Sequence, residues 1–148
     1  MNLKLQERAF ERLADRFQPG EKPLAAARAL VGKFTAGRMG TVVKQGLILD
    51  VAGGLGSHLL TAGSKQFTVV TDRRVFFLPQ TFMGGPGKEC LGELPRHQVR
   101  LAEAEMGFVS LLRLAFGDQG DGISLTFPRS DKKNAQLLAD ALQTAPVA

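Results

Sequence analysis

Residues able to do covalent or metal chemistry are few in this 148-residue chain, and their spacing is wrong for it. His58, His97 and the single cysteine, Cys90, are scattered, with no Cys-x-x-Cys or His-x-x-x-His pattern to set ligands on one face. Cys90 falls in a strand-like segment, where a cysteine is expected as a small buried apolar residue rather than a nucleophile. Ser57 and His58 are adjacent, but neighbours point in different directions and no Gly-x-Ser-x-Gly elbow surrounds them. The glycine-rich stretch AGGLGSHLLTAGSK (52–65) invites a phosphate-loop reading, yet Gly63-Ser64-Lys65 runs in the wrong order for one. Glu103 with Glu105, and Asp118 with Asp121, are better explained as a solvated strand face and an ordinary turn than as acid–base or calcium pairs. No catalytic residue, metal site or cofactor is therefore expected, and the chain is expected not to be an enzyme.

The elements that would position any site follow from periodicity. Phe10, Leu13 and Phe17 recur at helical spacing within residues 1–18, and Pro19-Gly20 stops that helix. Pro23–Lys33 is alanine-rich, which favours helix by propensity. Residues 34–65 form a glycine-punctuated insertion in which Leu47, Val51, Leu55 and Leu59 would share a helical stripe; a short helix or two is expected there. From Gln66 the pattern turns to short strands: Phe67–Thr71, Asp72-Arg73 as a hairpin turn, Val75–Leu78, Glu89–Leu94 and Val99–Met106. The last of these switches its apolar parity near Ala102, which predicts a twist or a bulge. Leu112, Leu114 and Phe116 alternate, as do Ile123, Leu125 and Phe127, with GDQGDG between them as a turn signal. Ser130 is placed to cap a terminal helix over 129–143, in which Ala135, Leu138, Ala139 and Leu142 share a face.

Composition bounds the rest. One domain spanning 1–148 is expected, large enough to need no disulfide or metal. The lone cysteine suits a reducing compartment, and the charged start MNLKLQERAFERLADRF lacks the apolar core of a signal peptide. The expectation is a soluble cytoplasmic protein. The formal charge of +5 is uneven, with 15 Lys/Arg against 8 Asp/Glu in residues 1–100 and 4 against 6 thereafter. That balance permits an anionic partner without requiring one.

The order of elements, with the words FTVVTDRRVFFL (67–78), LGELPRHQVRLAEAE (91–105), LLRLAF (111–116) and GISLTFP (122–128), resembles the bacterial pleckstrin-homology-like (PH-like) domains. It is this resemblance that makes Pro23–Lys33 a strand. It implies a mainly β, α+β fold: a bent, partly open barrel of about seven antiparallel strands in two sheets, closed by a C-terminal helix, with an extra helix in front. Such domains serve as lipid- or protein-binding modules, so the fold leaves the ligand undecided. In lipid-binding members the first inter-strand loop carries the headgroup site; here it is expanded, and no headgroup residue carries over by position.

Two surfaces are candidates for binding. One is a dispersed basic set, Lys33, Arg38, Lys44 and Lys65 with Arg73 and Arg74 of the hairpin, which loops at one barrel end would gather; the alternative is ordinary solubilising charge, with the Arg74 stem packed along the sheet. The other is the loop PQTFMGGPGK, where Phe82 and Met83 stand near Lys88 as an apolar tip, unless Phe82 folds back as a lid over the core. With no Trp or Tyr to stack on bases, nucleic acid is a poor partner. A non-catalytic adaptor is expected, taking a protein partner in preference to an anionic membrane at the inner face. The alternative is a small ligand-binding protein or enzyme with its site between the insertion and the barrel mouth.

Overall fold

A computed structural model describes residues 3–35, 65–116 and 121–144. Arg38, Lys44, His58, Asp118 and the helices expected within the insertion lie outside the described residues.

The chain begins with helix α1 (Leu3–Leu13), continued by a 3-10 turn over Ala14–Arg16. Seven strands follow: β1 (Pro23–Thr35), β2 (Lys65–Thr71), β3 (Arg74–Pro79), β4 (Gly92–Pro95), β5 (Val99–Glu105), β6 (Ser110–Phe116) and β7 (Asp121–Phe127). Helix α2 (Lys132–Gln143) ends the described chain. All seven strands are antiparallel in one sheet of order β4-β3-β2-β1-β7-β6-β5, which does not close. The two sheets expected of the barrel are thus one sheet bent through β1. Its first half, Pro23–Leu30, pairs with β2, and from Leu30 to Thr35 it pairs with β7.

β1 is a strand in spite of its alanines because both of its faces are covered. Ala25, Ala27 and Ala29 point into the main core against α2 residues Ala135, Leu138 and Ala139, while Ala26 packs with Ala9 and Leu13 of α1 on the opposite face. Small side chains let a helix approach each side, so packing overrides intrinsic propensity. The main core is filled from β6 and β7 by Leu112, Leu114, Phe116, Ile123, Leu125 and Phe127. The second cluster, under α1, holds Phe67, Val69, Phe76 and Leu78. Phe17 stacks tilted on Phe76 at 5.8 Å between ring centres, which pins the chain after α1.

Most strand boundaries agree with the sequence to within two residues, and the parity switch in β5 is a true register shift between Leu101 and Glu103. Three details differ. Cys90 is not in a strand: β4 starts only at Gly92, and Cys90 lies half-buried in the loop before it. Gly122, expected in a turn, is inside β7. The cap at Ser130 does not form as expected: Arg129–Asp131 make a 3-10 turn, and Asp131 precedes α2 without a side-chain capping bond.

The other end of α2 is tied down by a residue that no motif singles out. Arg96, in the 3-10 turn Arg96–Gln98 between β4 and β5, is buried. Its guanidinium donates to the carbonyls of Thr71 (2.9 Å), Leu142 (3.2 Å) and Thr144 (2.5 Å). One cation thereby satisfies carbonyls left open at the helix end and joins them to the end of β2. Arg96→Met keeps the stem volume and leaves those carbonyls unpaired. It is expected to cost about 2 kcal/mol, read as a lower midpoint in urea unfolding with unchanged slope; an unchanged midpoint would refute the clamp.

Candidate binding surfaces

Of the nine residues singled out from the sequence, Arg38 and Lys44 lie outside the described residues; Lys33, Lys65, Arg73, Arg74, Phe82, Met83 and Lys88 are placed as follows. Arg73 sits in the β2–β3 turn and Arg74 opens β3, and both are engaged by neighbouring groups. Arg73 donates to Gln18 Oε1 at 3.1 Å. Arg74 is paired with Glu21 and Glu93, donates to the Arg16 carbonyl at 2.6 Å and lies over the Phe76 ring at 4.6 Å. Its role is internal, so it leaves the basic surface. Lys33 has its backbone in β1 opposite Ile123. Lys65 opens β2 and is exposed.

The loop between β3 and β4 gives a clear answer about Phe82. It does not fold back: Phe82 is fully exposed and Met83 is 88% exposed. The reason is a tight hairpin that holds both side chains out. Thr81 N–H donates to the Gly85 carbonyl (2.7 Å), Gly84 N–H to Thr81 (2.9 Å) and Gly87 N–H to Pro79 (2.8 Å), beside a Gln80–Pro86 bridge. Gly84 has φ +89°, a conformation that side-chain-bearing residues avoid. From below, Arg28 of β1 donates to the Gly84 carbonyl at 3.0 Å, and Arg12 of α1 reaches the Pro86 carbonyl at 3.4 Å. Lys88 is exposed at the foot of the hairpin.

Arg28 also lines a cleft of about 600 Å³, formed where β1 leaves β2 and joins β7. Leu30 and Lys65 form one wall, and Val109, Thr126 and Pro128 the other, with Ser130 and Asp131 at the start of α2. Val109 and its neighbour Phe108 stand in the β5–β6 turn, 50% and 74% exposed. The Arg129 guanidinium lies over the Phe108 ring at 5.3 Å. Sequence reasoning missed Arg28, Phe108 and Val109. The available signal was an apolar pair after Gly107, at a strand-to-strand turn where polar residues are the rule.

A second groove, about 590 Å³, runs between β5 and the last turn of α2. It is lined by His97, Val99, Arg100 and Leu101 on one side and Leu142, Gln143 and Thr144 on the other. β5 is the last strand of the sheet, so among the described residues no strand pairs with its outer side. Beyond the register shift the strand is protected by charge: Glu103 pairs with Arg113 across to β6, and Glu105 is exposed.

Groups with shifted acidity are structural. Burial pushes the Cys90 thiol up, away from the thiolate, and its S–H donates to the Gly92 carbonyl at 3.3 Å. Burial likewise lowers Arg96, opposed by Asp72. Among the described residues no three His, Cys, Asp or Glu side chains group as a metal site, and no helix is long and apolar enough to cross a membrane. No protein-family model matches the chain, and no curated protein matches it in sequence.

Proposed function

We propose that the chain is a non-catalytic binding module of the bacterial PH-like type, working in the cytoplasm as an adaptor that takes a protein partner. The observation that carries this reading is the outer edge of β5 beside the α2 groove. An extended segment of a partner adds there as an eighth strand along Val99–Leu101, its backbone satisfied by the strand edge. Its side chains enter the groove on alternate positions, where Leu101 and Leu142 supply apolar contact and His97 and Arg100 polar contact. The register shift after Leu101 limits the added strand to a short length, which suits reversible binding.

The seven-stranded antiparallel sheet with a helix at each end is compatible with the PH-like resemblance.

The test is selection of a displayed random-peptide library on the full chain, followed by amide exchange of the chain with each selected peptide. Slowed exchange is expected in β5 and the last turn of α2. Selected peptides that protect only other elements, or a library that yields none, would sink the reading.

A further inference from the structure

The ionisable side chains lining the groove between β5 and α2 are Arg96, His97 and Arg100, with no Asp or Glu among them. His97 and Arg100 are exposed and make no ion pair among the described residues. Arg96 is 3% exposed, and its acceptors are three neutral carbonyls. Its Nε–H is also buried and has no acceptor. Burial lowers the Arg96 pKa, and Asp72, which opposes that shift, does not line the groove. The guanidinium therefore sits in a low-dielectric place without a carboxylate beside it, and its field reaches further than it would in water. The carboxyl end of α2 sets roughly half a negative charge against it, so the sum with Arg100 stays positive. The nearby acids are engaged or set apart. Glu103 pairs with Arg113, Asp140 accepts from Gln136 on the exposed side of α2, and Glu105 lies beyond the register shift.

We infer, resting on the strand-addition reading above, that this groove selects an acidic segment: an extended stretch of the partner with an Asp or Glu side chain opposite Arg100 and an apolar residue on either side of it. The pleat sets that order. Val99 and Leu101 pack on the main core, so by alternation Arg100 points to the other face of the sheet. A residue added opposite Arg100 shares its face, and the residues before and after it turn toward Leu101 and Leu142. The carboxylate pairs across the strands with Arg100 and is drawn to the same end of β5 by the buried charge of Arg96. Further along the strand the sign reverses at Glu103 and Glu105, which fixes where the acid can sit. A second copy of this chain is the poorer occupant. Only Val99–Leu101 precedes the register shift, and a two-fold antiparallel pairing of that stretch sets Arg100 against the same arginine of the other copy. Like charges directly opposite destabilise a strand pair, and a basic segment meets the same penalty.

The test selects two displayed peptide libraries on the full chain, one built around an apolar–acidic–apolar core and one around an apolar–basic–apolar core. Selected peptides are made with acetylated and amidated ends, so that side chains are their only carboxylates. The acidic library should yield peptides that slow amide exchange in β5 and the last turn of α2. Replacing the acid by its amide should weaken them about fivefold at low salt, and less at physiological salt. Arg100→Glu should weaken the acidic peptides at least about tenfold and bind the same peptides with Lys in place of the acid. Lys133→Gln, at the other end of α2, should change neither, and circular dichroism should show both variants folded. Peptides that protect β5 but come from the basic library alone, or ignore both the acid and Arg100→Glu, would overturn the inference and leave strand addition standing. No peptide from either library, or protection of other elements only, would overturn both. A dimer in light scattering, with β5 amides protected before any peptide is added, would assign the edge to a second copy and overturn the inference as well.

Discussion

Gly122→Ala should be the most damaging single substitution in the described sheet, costing about 4 kcal/mol or preventing folding. A methyl at Gly122 would fall on the Leu114 carbonyl oxygen, with the Leu114 carbonyl carbon at 2.8 Å and Ala115 Cα at 3.1 Å. These are backbone atoms of the neighbouring strand, so no side-chain rotation relieves the clash. β6 and β7 would have to separate at Leu114–Ile123 and Ala115–Gly122, where Leu114 and Ile123 are fully buried in the core. Gly32→Ala is the contrast. Its methyl would meet only the Ser124 hydroxyl, at 2.8 Å, which one side-chain rotation can move aside. Urea unfolding of the two variants decides it. A Gly122→Ala midpoint close to that of Gly32→Ala would mean that the strands separate at little cost and that the close approach is not required.

That glycine also shows why the sequence was only partly legible. GDQGDG looks like a turn because glycine and aspartate break strands, yet Gly122 is needed inside a strand for a contact with a residue eight positions earlier. Local composition does not carry that information. Alternation did carry β6 and β7, since Leu112, Leu114, Ile123 and Leu125 point to a core on one face only. The same rule fails for β1, which is small and apolar on both faces because α1 and α2 cover it. Site residues were harder still. Phe82 and Met83 were visible as apolar residues in a loop, but their exposure depends on the hairpin bonds and on arginines from α1 and β1, 56 to 74 positions away. Arg74 shows the converse: a basic residue in a hairpin reads either as a surface cation or as a stem packed along the sheet until the partners that converge on it are known.

Those partners make the Glu21–Arg74 pair the second place where one substitution should be felt across the fold. The Glu21 side chain is wholly buried and that of Arg74 is 16% exposed. Glu21 accepts from Arg74 through both oxygens (2.5 and 3.2 Å), from the Thr71 hydroxyl (2.6 Å) and from the Gln18 N–H (2.8 Å). The Thr71 hydroxyl in turn receives the N–H groups of Arg73 (3.0 Å) and Arg74 (2.8 Å), which shapes the β2–β3 turn. Arg74 continues to Glu93 of β4 and to the Arg16 carbonyl after α1. One guanidinium therefore joins the end of the α1 segment, the entry to β1, and strands β3 and β4. Removing Arg74 leaves the Glu21 carboxylate buried without a cation, and removing Glu21 leaves Arg74 only the half-exposed Glu93 and the Arg16 carbonyl, so Arg74→Ala or Glu21→Ala should each cost about 3 kcal/mol. The double variant should cost much less than the sum of the two. Burial is the largest single influence on Glu21 and pushes its carboxyl up, but the bonds from Arg74, Thr71 and Gln18 together outweigh it and hold the group below its ordinary value of 4.5. Arg74 is shifted upward, chiefly by its bond to Glu21 and against its burial, so it stays charged at every working pH. The acid limb of this pair thus belongs to Glu21. A depressed carboxyl stabilises the fold fully above its unfolded value and loses that contribution as pH falls through the folded one. Thermal unfolding from neutral pH to well below 4.5 should therefore show the wild type losing stability with acid more steeply than Glu21→Gln, the two converging at the acid end. Parallel curves would mean that the Glu21 charge contributes nothing to the fold, and additive losses in the double variant would mean that the two residues act independently.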